Sequence, residues 1–435
     1  MSDTIRVGLL GCGTVGTGIL RILAENRSDI VARLGKPIEV MKILVRDPER
    51  HRDPAVPRHL LTTSPDELFA ADTHIIVEVL GGYEPARTYL LRALASGRHV
   101  VTANKALLAR HGPEIFRAAD DASRDVIFEG SVGGGIPIIR TLREGLAADR
   151  IDALRAIING TTNYMLTGMA QRGAAYADVL AEAQQKGYAE ADPTMDVGGF
   201  DAAQKLAILI SISFGLEIPF ESIRTDGIEQ LVPLDFQVAR QFGYAVKPLA
   251  IAKAHADGIE ARVGPTLVPS ESLLAHVNGV FNAVMVHSHA LGPVLFYGQG
   301  AGMMPTASAV VSDIIELGRD IERGTSGRLP HLAFHKGLLV ERELRDPDDS
   351  ECPFYLRFTV KDMPGVIAQL TTVLGAHGIS IRRMVQEQSE PGQQVPIVIL
   401  THSAREGSVR TALKGIDALP FVTEKTCVLR VEDIP

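Results

Sequence analysis

The chain has 435 residues, 46% of them hydrophobic and 22% charged, which is enough for about three globular domains with buried cores. Its formal net charge of −8 disfavours nucleic acid and anionic membranes as partners. Three cysteines, Cys12, Cys352 and Cys427, are too few for a disulfide framework. We expect no secretory signal and no membrane span, and therefore a cytoplasmic protein.

Short apolar runs alternate with helical patterns over residues 1–130. Strands are predicted at residues 5–10, 38–45, 73–80, 98–102 and 126–128, and a helix is predicted at 86–95. Strands that alternate with helices are typical of a parallel sheet covered on both faces. The segment is therefore predicted to be a Rossmann-like, doubly wound α/β domain.

A glycine-rich turn follows the first predicted strand. It reads Gly11-Cys12-Gly13-Thr14-Val15-Gly16 and opens a predicted helix, which is the context that a dinucleotide-binding fingerprint requires. Gly11 permits the tight turn, Gly13 lets backbone approach a pyrophosphate, and Gly16 lets the helix pack on the strand. The alternative is a tight turn without a ligand. We expect Gly11, Gly13, Thr14, Val15 and Gly16 to contact a nicotinamide cofactor.

The residues after the second strand bear on the choice of cofactor. Arg46 can pair with a 2′-phosphate, which favours NADP. Asp47 beside it could bind a ribose hydroxyl and permit NAD, and Arg46 could also be a plain surface charge.

Two features follow at the carboxyl ends of the later strands. Lys105 comes just after residues 98–102, at the edge where doubly wound sheets bind ligands, although a solvated lysine is an equal alternative. Residues 129–136 combine the carboxylate of Glu129 with carbonyl groups exposed by glycines, a set that can hold a hard cation. A hinge between domains is the other interpretation of that segment.

Residues 131–340 mix helices (176–186, 201–214, 307–323) with strand-like runs (153–158, 249–255, 279–289), which predicts an α+β domain with a mixed sheet.

Lys205 stands four residues after Asp201 on a strongly apolar helix of this segment. Burial would lower the pKa of that lysine toward the range useful for proton transfer. An ordinary surface pair is the alternative.

Glu190, Asp192 and Asp196 cluster around a proline upstream. Acids and lysines in one cleft would suit a zwitterionic substrate with a hydroxyl or carbonyl group. His287 and His289 share a strand face but have no visible third ligand, so we interpret them as core or surface residues.

The last part of the chain is predicted to be a separate module. Residues 341–352 are polar and contain a proline, which is typical of a solvated linker. Residues 353–435 follow the order βαββαβ of a ferredoxin-like sandwich.

Together these motifs resemble the bacterial, single-function homoserine dehydrogenases over nearly the whole chain. The resemblance rests on the segments 8–16 (GLLGCGTVG), 102–105 (TANK), 129–137 (EGSVGGGIP), 159–164 (NGTTNY), 187–193 (GYAEADP), 201–205 (DAAQK) and 300–306 (GAGMMPT). Residues 362–366 (DMPGV), at the first strand-to-helix turn of the C-terminal module, resemble an ACT domain, an amino-acid-sensing module.

The resemblance implies NAD(P)-dependent interconversion of L-homoserine and L-aspartate 4-semialdehyde. Lys205 would be the proton donor and acceptor, and Lys105 would touch both cofactor and substrate. Glu190 and Asp201 would bind the substrate, and we place Asp196 with them. Further cofactor contacts would come from Gly187, Gly300 and Gly302. A sodium ion would be held by Glu129, Val132, Gly134 and Ile136.

The resemblance also implies regulation and assembly. An amino-acid effector, threonine by analogy, would bind at the turn from Asp362 to Gly365. The middle domain would form a homodimer, which the C-terminal modules could double to a homotetramer. The pathway would be the threonine, methionine and isoleucine branch of aspartate-family biosynthesis. The alternatives are another amino-acid-pathway dehydrogenase of the prephenate type, or a non-enzymatic amino-acid sensor.

Overall fold

Two large β-sheets organise the chain. The computed structural model describes residues 3–50, 52–335, 342–386 and 393–434. Within them, a six-stranded sheet uses the N-terminal strands, and a ten-stranded sheet combines strands of the middle and C-terminal segments. All three cysteines are free, as the composition indicates. None of the described helices is both long and apolar enough to cross a membrane.

The N-terminal segment is the predicted doubly wound domain. Its strands are β1 (Ile5–Leu10), β2 (Ile38–Leu44), β3 (Leu61–Thr62), β4 (Ile75–Glu78), β5 (His99–Thr102) and β6 (Val126–Ile127). Its helices are α1 (Thr14–Glu25), α2 (Arg27–Leu34), α3 (Pro65–Ala70), α4 (Ala86–Ala95) and α5 (Lys105–Ala122). The parallel strands lie in the order β3-β2-β1-β4-β5-β6, so β1 and β4 flank the point where the order reverses and where such sheets bind ligands.

The middle segment forms a mixed sheet that is covered by helices. Its strands are β7 (Ile151–Ile157), β8 (Arg224–Thr225), β9 (Tyr244–His255), β10 (Gly258–Pro269), β11 (Phe281–Ser288) and β12 (Gly292–Gln299). Its helices are α6 (Ile138–Arg140), α7 (Gly160–Arg172), α8 (Tyr176–Gln185), α9 (Thr194–Val197), α10 (Phe200–Phe214), α11 (Pro233–Gln241) and α12 (Met303–Arg323). Helix α10 is almost wholly buried, which its apolar sequence predicts.

The C-terminal segment has the predicted ferredoxin-like topology. Its strands are β13 (Glu351–Cys352), β14 (Phe354–Lys361), β15 (Ile381–Gln386), β16 (Gln394–Thr401), β17 (Ala404–Arg405) and β18 (Cys427–Val431), and its helices are α13 (Val366–Ala376) and α14 (Glu406–Asp417). The four long strands lie in the antiparallel order β18-β14-β16-β15, and both helices pack into one hydrophobic cluster with β14 and β16.

Helix α12 follows the middle segment in sequence but packs on the N-terminal sheet. Val310, Ile314 and Leu317 are buried in one cluster with Val7 and Leu9 of β1. The sequence grouped this helix with the middle domain because periodicity shows that a face is apolar but not which sheet covers it. The chain therefore returns to the nucleotide-binding fold after it has formed the middle sheet.

The C-terminal module is continuous with the middle sheet, although its sequence reads as a separate unit. Thr266 and Leu267 of β10 pair in parallel with Arg430 and Val431 of β18. Residues 342–350, predicted as part of a solvated linker, are also fastened to β10: the carbonyl of Glu343 accepts from the amide of Ile259. The two parts thus share one hydrogen-bonded sheet.

Candidate active site

A cleft of about 330 Å³ lies at the carboxyl ends of β1, β4 and β5. Its walls come from the glycine turn after β1, the ends of β4 and β5, residues 130–134, the turn before α12 and Lys205 of α10. The cleft therefore joins the N-terminal sheet to the middle domain. A ligand held there would touch both, at the switch point of the doubly wound sheet.

The glycine turn leaves room for a dinucleotide. A Cβ at Gly13 would meet nothing within 4 Å, whereas a Cβ at Gly16 would stand 2.5 Å from the carbonyl oxygen of Gly11. Gly16 therefore serves close packing of α1 on β1, and Gly13 keeps the approach to the start of α1 open. Thr14 and Val15 line the cleft itself. These features fit a pyrophosphate at the helix N-terminus.

A close backbone contact between Gly134 and Gly300 forms another wall of the cleft. Gly134 has a φ of +57°, and a Cβ there would lie 2.6 Å from the carbonyl carbon of Gly300. The turns at residues 133–134 and 300–302 consequently pack backbone against backbone. Gly300 and Gly302 both line the cleft, and their contact with a cofactor stays a prediction.

Lys105 and Lys205 meet at Asp201. The ammonium nitrogen of Lys205 lies 2.7 Å from Oδ2 of Asp201 and 2.7 Å from the carbonyl oxygen of Ile158. The ammonium nitrogen of Lys105 lies 3.3 Å from Oδ1 of the same carboxylate. Lys205 is only 8% exposed, while the side chain of Lys105 is 40% exposed at the cleft. Two cations thus flank one buried carboxylate.

Burial and charge act in opposite directions on this pair. Burial alone would raise the pKa of Asp201, but the ammonium groups of Lys205 and Lys105 outweigh it and lower the value to about 2. For Lys205, burial outweighs the attraction of Asp201 and lowers the pKa of the ammonium group. The result is a permanent carboxylate beside a lysine that gives up its proton more readily than a solvated one.

Asn159 completes the cluster, and its role was not predicted from the sequence. Its amide nitrogen donates to Asp201 at 2.8 Å and to Asp196 at 2.7 Å, while its side-chain oxygen accepts from the backbone of Thr162 as the N-cap of α7. Its signal in the sequence was an asparagine between an apolar strand and a helical pattern.

Asp196 is therefore joined to Asp201 through an amide. Burial raises its pKa, and the charge of Asp201 adds to that effect.

Glu78 is a second residue near the cleft whose role was not predicted from the sequence. It ends β4, is fully buried, and accepts from the hydroxyl of Thr102 at 2.6 Å and from the backbone of Leu80 at 2.7 Å. Burial raises the pKa of this carboxyl. Since Leu80 lines the cleft, Glu78 fixes the loop that follows β4. An acid at the end of an otherwise apolar strand was the available signal.

The other predicted cofactor and substrate residues are less tightly placed. Arg46 is exposed just beyond β2. Arg52, farther along the same loop, donates a hydrogen bond of 2.7 Å to the carbonyl oxygen of Cys12 in the glycine turn. Gly187 and Glu190 are exposed on the loop between α8 and α9, and neither lines the cleft. Their proposed contacts stay predictions.

The predicted cation site contains oxygen ligands, but the carboxylate of Glu129 already accepts two backbone hydrogen bonds. Glu129 is buried, and burial raises its pKa; its oxygens accept from the backbone of Ile139 and Arg140 at 2.9 and 2.8 Å. Val132 and Ile136 are buried beside it, and Gly134 forms the turn. Among the described residues, no group of three His, Cys, Asp or Glu side chains could hold a metal. A cation here would therefore depend largely on main-chain carbonyl oxygens, which are ligands that a hard cation accepts.

The predicted effector turn and the two histidines singled out in the sequence lie outside the cleft. Gly365 has a φ of +91° at the start of α13, and Asp362 is partly buried just before it, so both stand at the first strand-to-helix turn of the C-terminal module. His287 is half-buried on β11 and His289 follows that strand. Neither histidine belongs to a metal-binding group in the described chain.

Models of protein families match three successive parts of the chain. Residues 11–129 match the homoserine dehydrogenase NAD-binding domain, residues 137–315 match homoserine dehydrogenase, and residues 354–420 match the ACT domain. The three matches follow the N-terminal, middle and C-terminal parts of the structure.

Known proteins are similar over the full length. The chain is 44% identical to a homoserine dehydrogenase of Pseudomonas aeruginosa over 99% of both chains. The crystal structure of a homoserine dehydrogenase from Thiobacillus denitrificans has a TM-score of 0.93 and 46% identity, covering 99% of this chain and 98% of its own. A hyperthermophilic archaeal homoserine dehydrogenase in complex with NADPH has a TM-score of 0.61 and 29% identity, covering 72% of this chain and 97% of its own.

These similarities exclude the two alternatives, a prephenate-type dehydrogenase and a non-enzymatic amino-acid sensor. The cluster of lysines and aspartate in the cleft agrees with an enzyme. The chain belongs to the homoserine dehydrogenase family, oxidoreductases that act on the CH–OH group of homoserine.

Proposed function

We propose that the chain interconverts L-homoserine and L-aspartate 4-semialdehyde in this cleft, with Lys205 as the proton donor and acceptor. The observation that carries the proposal is the buried Lys205 ammonium, held 2.7 Å from Asp201 at the wall of a cleft that also contains the glycine turn. A bound nicotinamide dinucleotide would supply and accept the hydride.

Lys205 is suited to move the proton in both directions. As an ammonium it donates to the aldehyde oxygen while negative charge develops there, and as an amine it accepts the proton of the homoserine hydroxyl. Its bonds to Asp201 and to the carbonyl of Ile158 fix the direction of Nζ. The lowered pKa makes the amine accessible nearer to neutral pH.

Lys105 and the surrounding acids position the substrate in this proposal. Lys105 reaches the cleft from the start of α5, where its charge can meet the substrate carboxylate and the cofactor. Asp196 and Asp201 offer carboxylates for the substrate ammonium. Glu190 would join them from the exposed loop before α9, and Gly187 from the same loop would touch the cofactor.

NADP is the proposed cofactor, with NAD as the alternative. Arg46 and Arg52 place two guanidinium groups on the loop beyond β2, and Arg52 is tied to the glycine turn through Cys12. Guanidinium groups suit the 2′-phosphate that distinguishes NADP. The archaeal relative in complex with NADPH supports the same choice.

We further propose a sodium ion at residues 129–136, held chiefly by carbonyl oxygens. Threonine is the proposed effector of the ACT domain, at the turn from Asp362 to Gly365, and the expected assembly is a homodimer or homotetramer. We also propose that the enzyme is cytoplasmic and acts in the threonine, methionine and isoleucine branch of aspartate-family biosynthesis.

Initial rates of homoserine oxidation test the reaction, the cofactor and the regulation together. We expect activity with NADP above that with NAD, and a lower rate when threonine is added. Replacing Lys205 with alanine should lower kcat by about 10²- to 10⁴-fold, the usual range for general acid–base catalysis, with little change in cofactor affinity. A Lys205→Ala enzyme with near-normal turnover would disprove the assignment, and Lys414→Ala on the exposed face of α14 is the control.

A further inference from the structure

A second cavity, of about 360 Å³, lies outside the active site between α7, α11 and the beginning of β9. Its wall is apolar at Leu166 and Met169 of α7 and at Phe236 of α11. Two cationic side chains, Lys247 of β9 and Arg240 of α11, also line it. None of the residues that line this cavity in the described chain is an aspartate or glutamate.

Lys247 is buried without a counter-charge. It is only 4% exposed, and its ammonium donates to the carbonyl of Val277 at 2.7 Å and to the side-chain oxygen of Asn278 at 2.9 Å. Among the described residues, no carboxylate lies within ion-pair distance, 4 Å, of its nitrogen. Lys205 and Arg430, which are also buried, each contact a carboxylate at 2.7 Å. Burying an unpaired charge is costly, so its retention needs a reason.

One acceptor of Lys247, the carbonyl of Val277, also accepts a hydrogen bond from α7. Asn163 of α7 is fully buried and donates to the carbonyl groups of Val277, Gly279 and Phe281 at 3.2, 2.9 and 3.3 Å. The segment that accepts from the Lys247 ammonium is therefore hydrogen-bonded to α7, a helix that also lines the cavity.

Charge and shape together define what fits. Two cations without a lining acid attract an anion, whereas the ammonium group of a zwitterion would meet no carboxylate on the wall. The apolar side chains of α7 and α11 would bury a short hydrocarbon chain. The cavity volume lies at the small end of the range for small-molecule sites, about 300–1,000 Å³.

We propose that this cavity binds a small organic monocarboxylate with a short apolar chain, its carboxylate between Lys247 and Arg240 and its chain against Leu166, Met169 and Phe236. The site is separate from the cleft at Lys205. It does not depend on the dehydrogenase reaction assigned to that cleft.

Calorimetric titration of the full chain with hexanoate tests the proposal. Hexanoate should bind, hexanamide should bind at least tenfold more weakly because it lacks the charge, and norleucine should also bind more weakly because its ammonium finds no partner. Saturating homoserine without cofactor should leave the hexanoate affinity unchanged. Displacement by homoserine, or equal binding of hexanamide, would overturn the proposal.

Variants locate the binding. Lys247→Met should weaken hexanoate binding at least tenfold. Arg240→Gln, at an exposed position of α11, should weaken it several-fold, and this variant tests the site even if Lys247→Met fails to fold. Lys414→Gln, on the exposed face of α14, is the matched control and should bind normally. Unchanged affinity in Arg240→Gln and Lys247→Met contradicts the site.

The pH dependence gives an independent readout. Burial lowers the pKa of Lys247 to about 8, and the other titratable groups that line the cavity are Arg240 and Tyr244. Hexanoate affinity should therefore fall about tenfold between pH 7 and pH 9, as the unliganded lysine loses its proton. Affinity that stays level over this interval, or that falls equally in Lys247→Met, counts against the assignment.

Discussion

The contact between Lys205 and Asp201 lies within a cluster that also contains residues distant from it in the sequence. The i,i+4 spacing of Asp201 and Lys205 in an apolar helix predicts the contact between them. The carbonyl of Ile158, the amide of Asn159 and the ammonium of Lys105 join this pair only because β7, α7 and α5 converge on the start of α10. The pair is thus part of a buried polar network, which a surface pair would lack.

The pH dependence of kcat/KM for homoserine oxidation should depend on the negative charge of Asp201. In the proposed mechanism oxidation needs the neutral amine of Lys205, so its rate should rise as pH increases through the pKa of that lysine. Asp201 raises this pKa against the effect of burial, and Asp201→Asn should therefore move the rising limb to lower pH. Measured profiles of kcat/KM should show this shift, with Asp178→Asn, at an exposed position of α8, unshifted. A limb that stays in place or moves to higher pH would be inconsistent with the pairing.

Two substitutions at Asn159 separate its structural and positioning roles. Asn159→Ala removes both the N-cap of α7 and the bonds to Asp196 and Asp201. Asn159→Ser keeps a capping oxygen but loses the amide donor. We expect both to lower kcat about tenfold, and only alanine to cost an additional ~1 kcal/mol of unfolding free energy. Urea denaturation and steady-state kinetics measure the two effects, and normal kcat in the serine variant would exclude the positioning role.

At the scale of elements, one buried carboxylate joins the end of β18 to three neighbouring strands. Glu432 is 1% exposed and contacts Arg155 of β7, Lys253 of β9 and Arg262 of β10 at 2.7, 2.7 and 2.6 Å. Although burial alone would raise it, these cations hold the pKa of Glu432 below its usual value. These contacts therefore stabilise the fold at pH values above the pKa that Glu432 has in the unfolded chain. Their contribution is lost as pH falls through the lower pKa that Glu432 has in the folded protein.

Glu432→Gln should destabilise the protein by about 3–5 kcal/mol, because breaking a buried ion pair leaves its partners uncompensated. Chemical denaturation at pH 7 measures this difference, and the gap to the natural protein should narrow in acid. Asp433→Asn, at the exposed next residue, should change stability by less than about 0.5 kcal/mol. If Glu432→Gln is as stable as Asp433→Asn, the expectation is wrong, and the three cationic side chains that contact Glu432 then have other partners.

The elements themselves were largely predictable, with informative exceptions. Strands β1, β2, β4 and β5 are short apolar runs bounded by turns, so their sequence specifies them. Strand β12 was missed because its side chains are mostly half-exposed and do not form an apolar run. Strand β10 was missed because Pro265 and Gly264 interrupt its pattern.

At the scale of the molecule, the C-terminal module and the middle domain share one sheet. A protein that ends before residue 350 would lose β18, exposing the edge of β10 and leaving Arg155 and Arg262 without Glu432. We expect this truncated chain to melt several degrees lower than the full chain and to aggregate more readily. Thermal unfolding and light scattering measure both, and an unaltered Tm would show that the joint adds no stability.

The sequence by itself determined the three-part organisation, the glycine turn and the contact between Asp201 and Lys205, because each depends on residues that are neighbours or one helical turn apart. Tertiary structure alone decided that α12 returns to the first sheet, that β18 extends the second, and that Asn159 and Lys105 reach Asp201. It also placed Lys247 and Arg240 around one cavity. These contacts join positions far apart in the chain, and the periodicity of a segment shows which face is buried but not which distant element covers it.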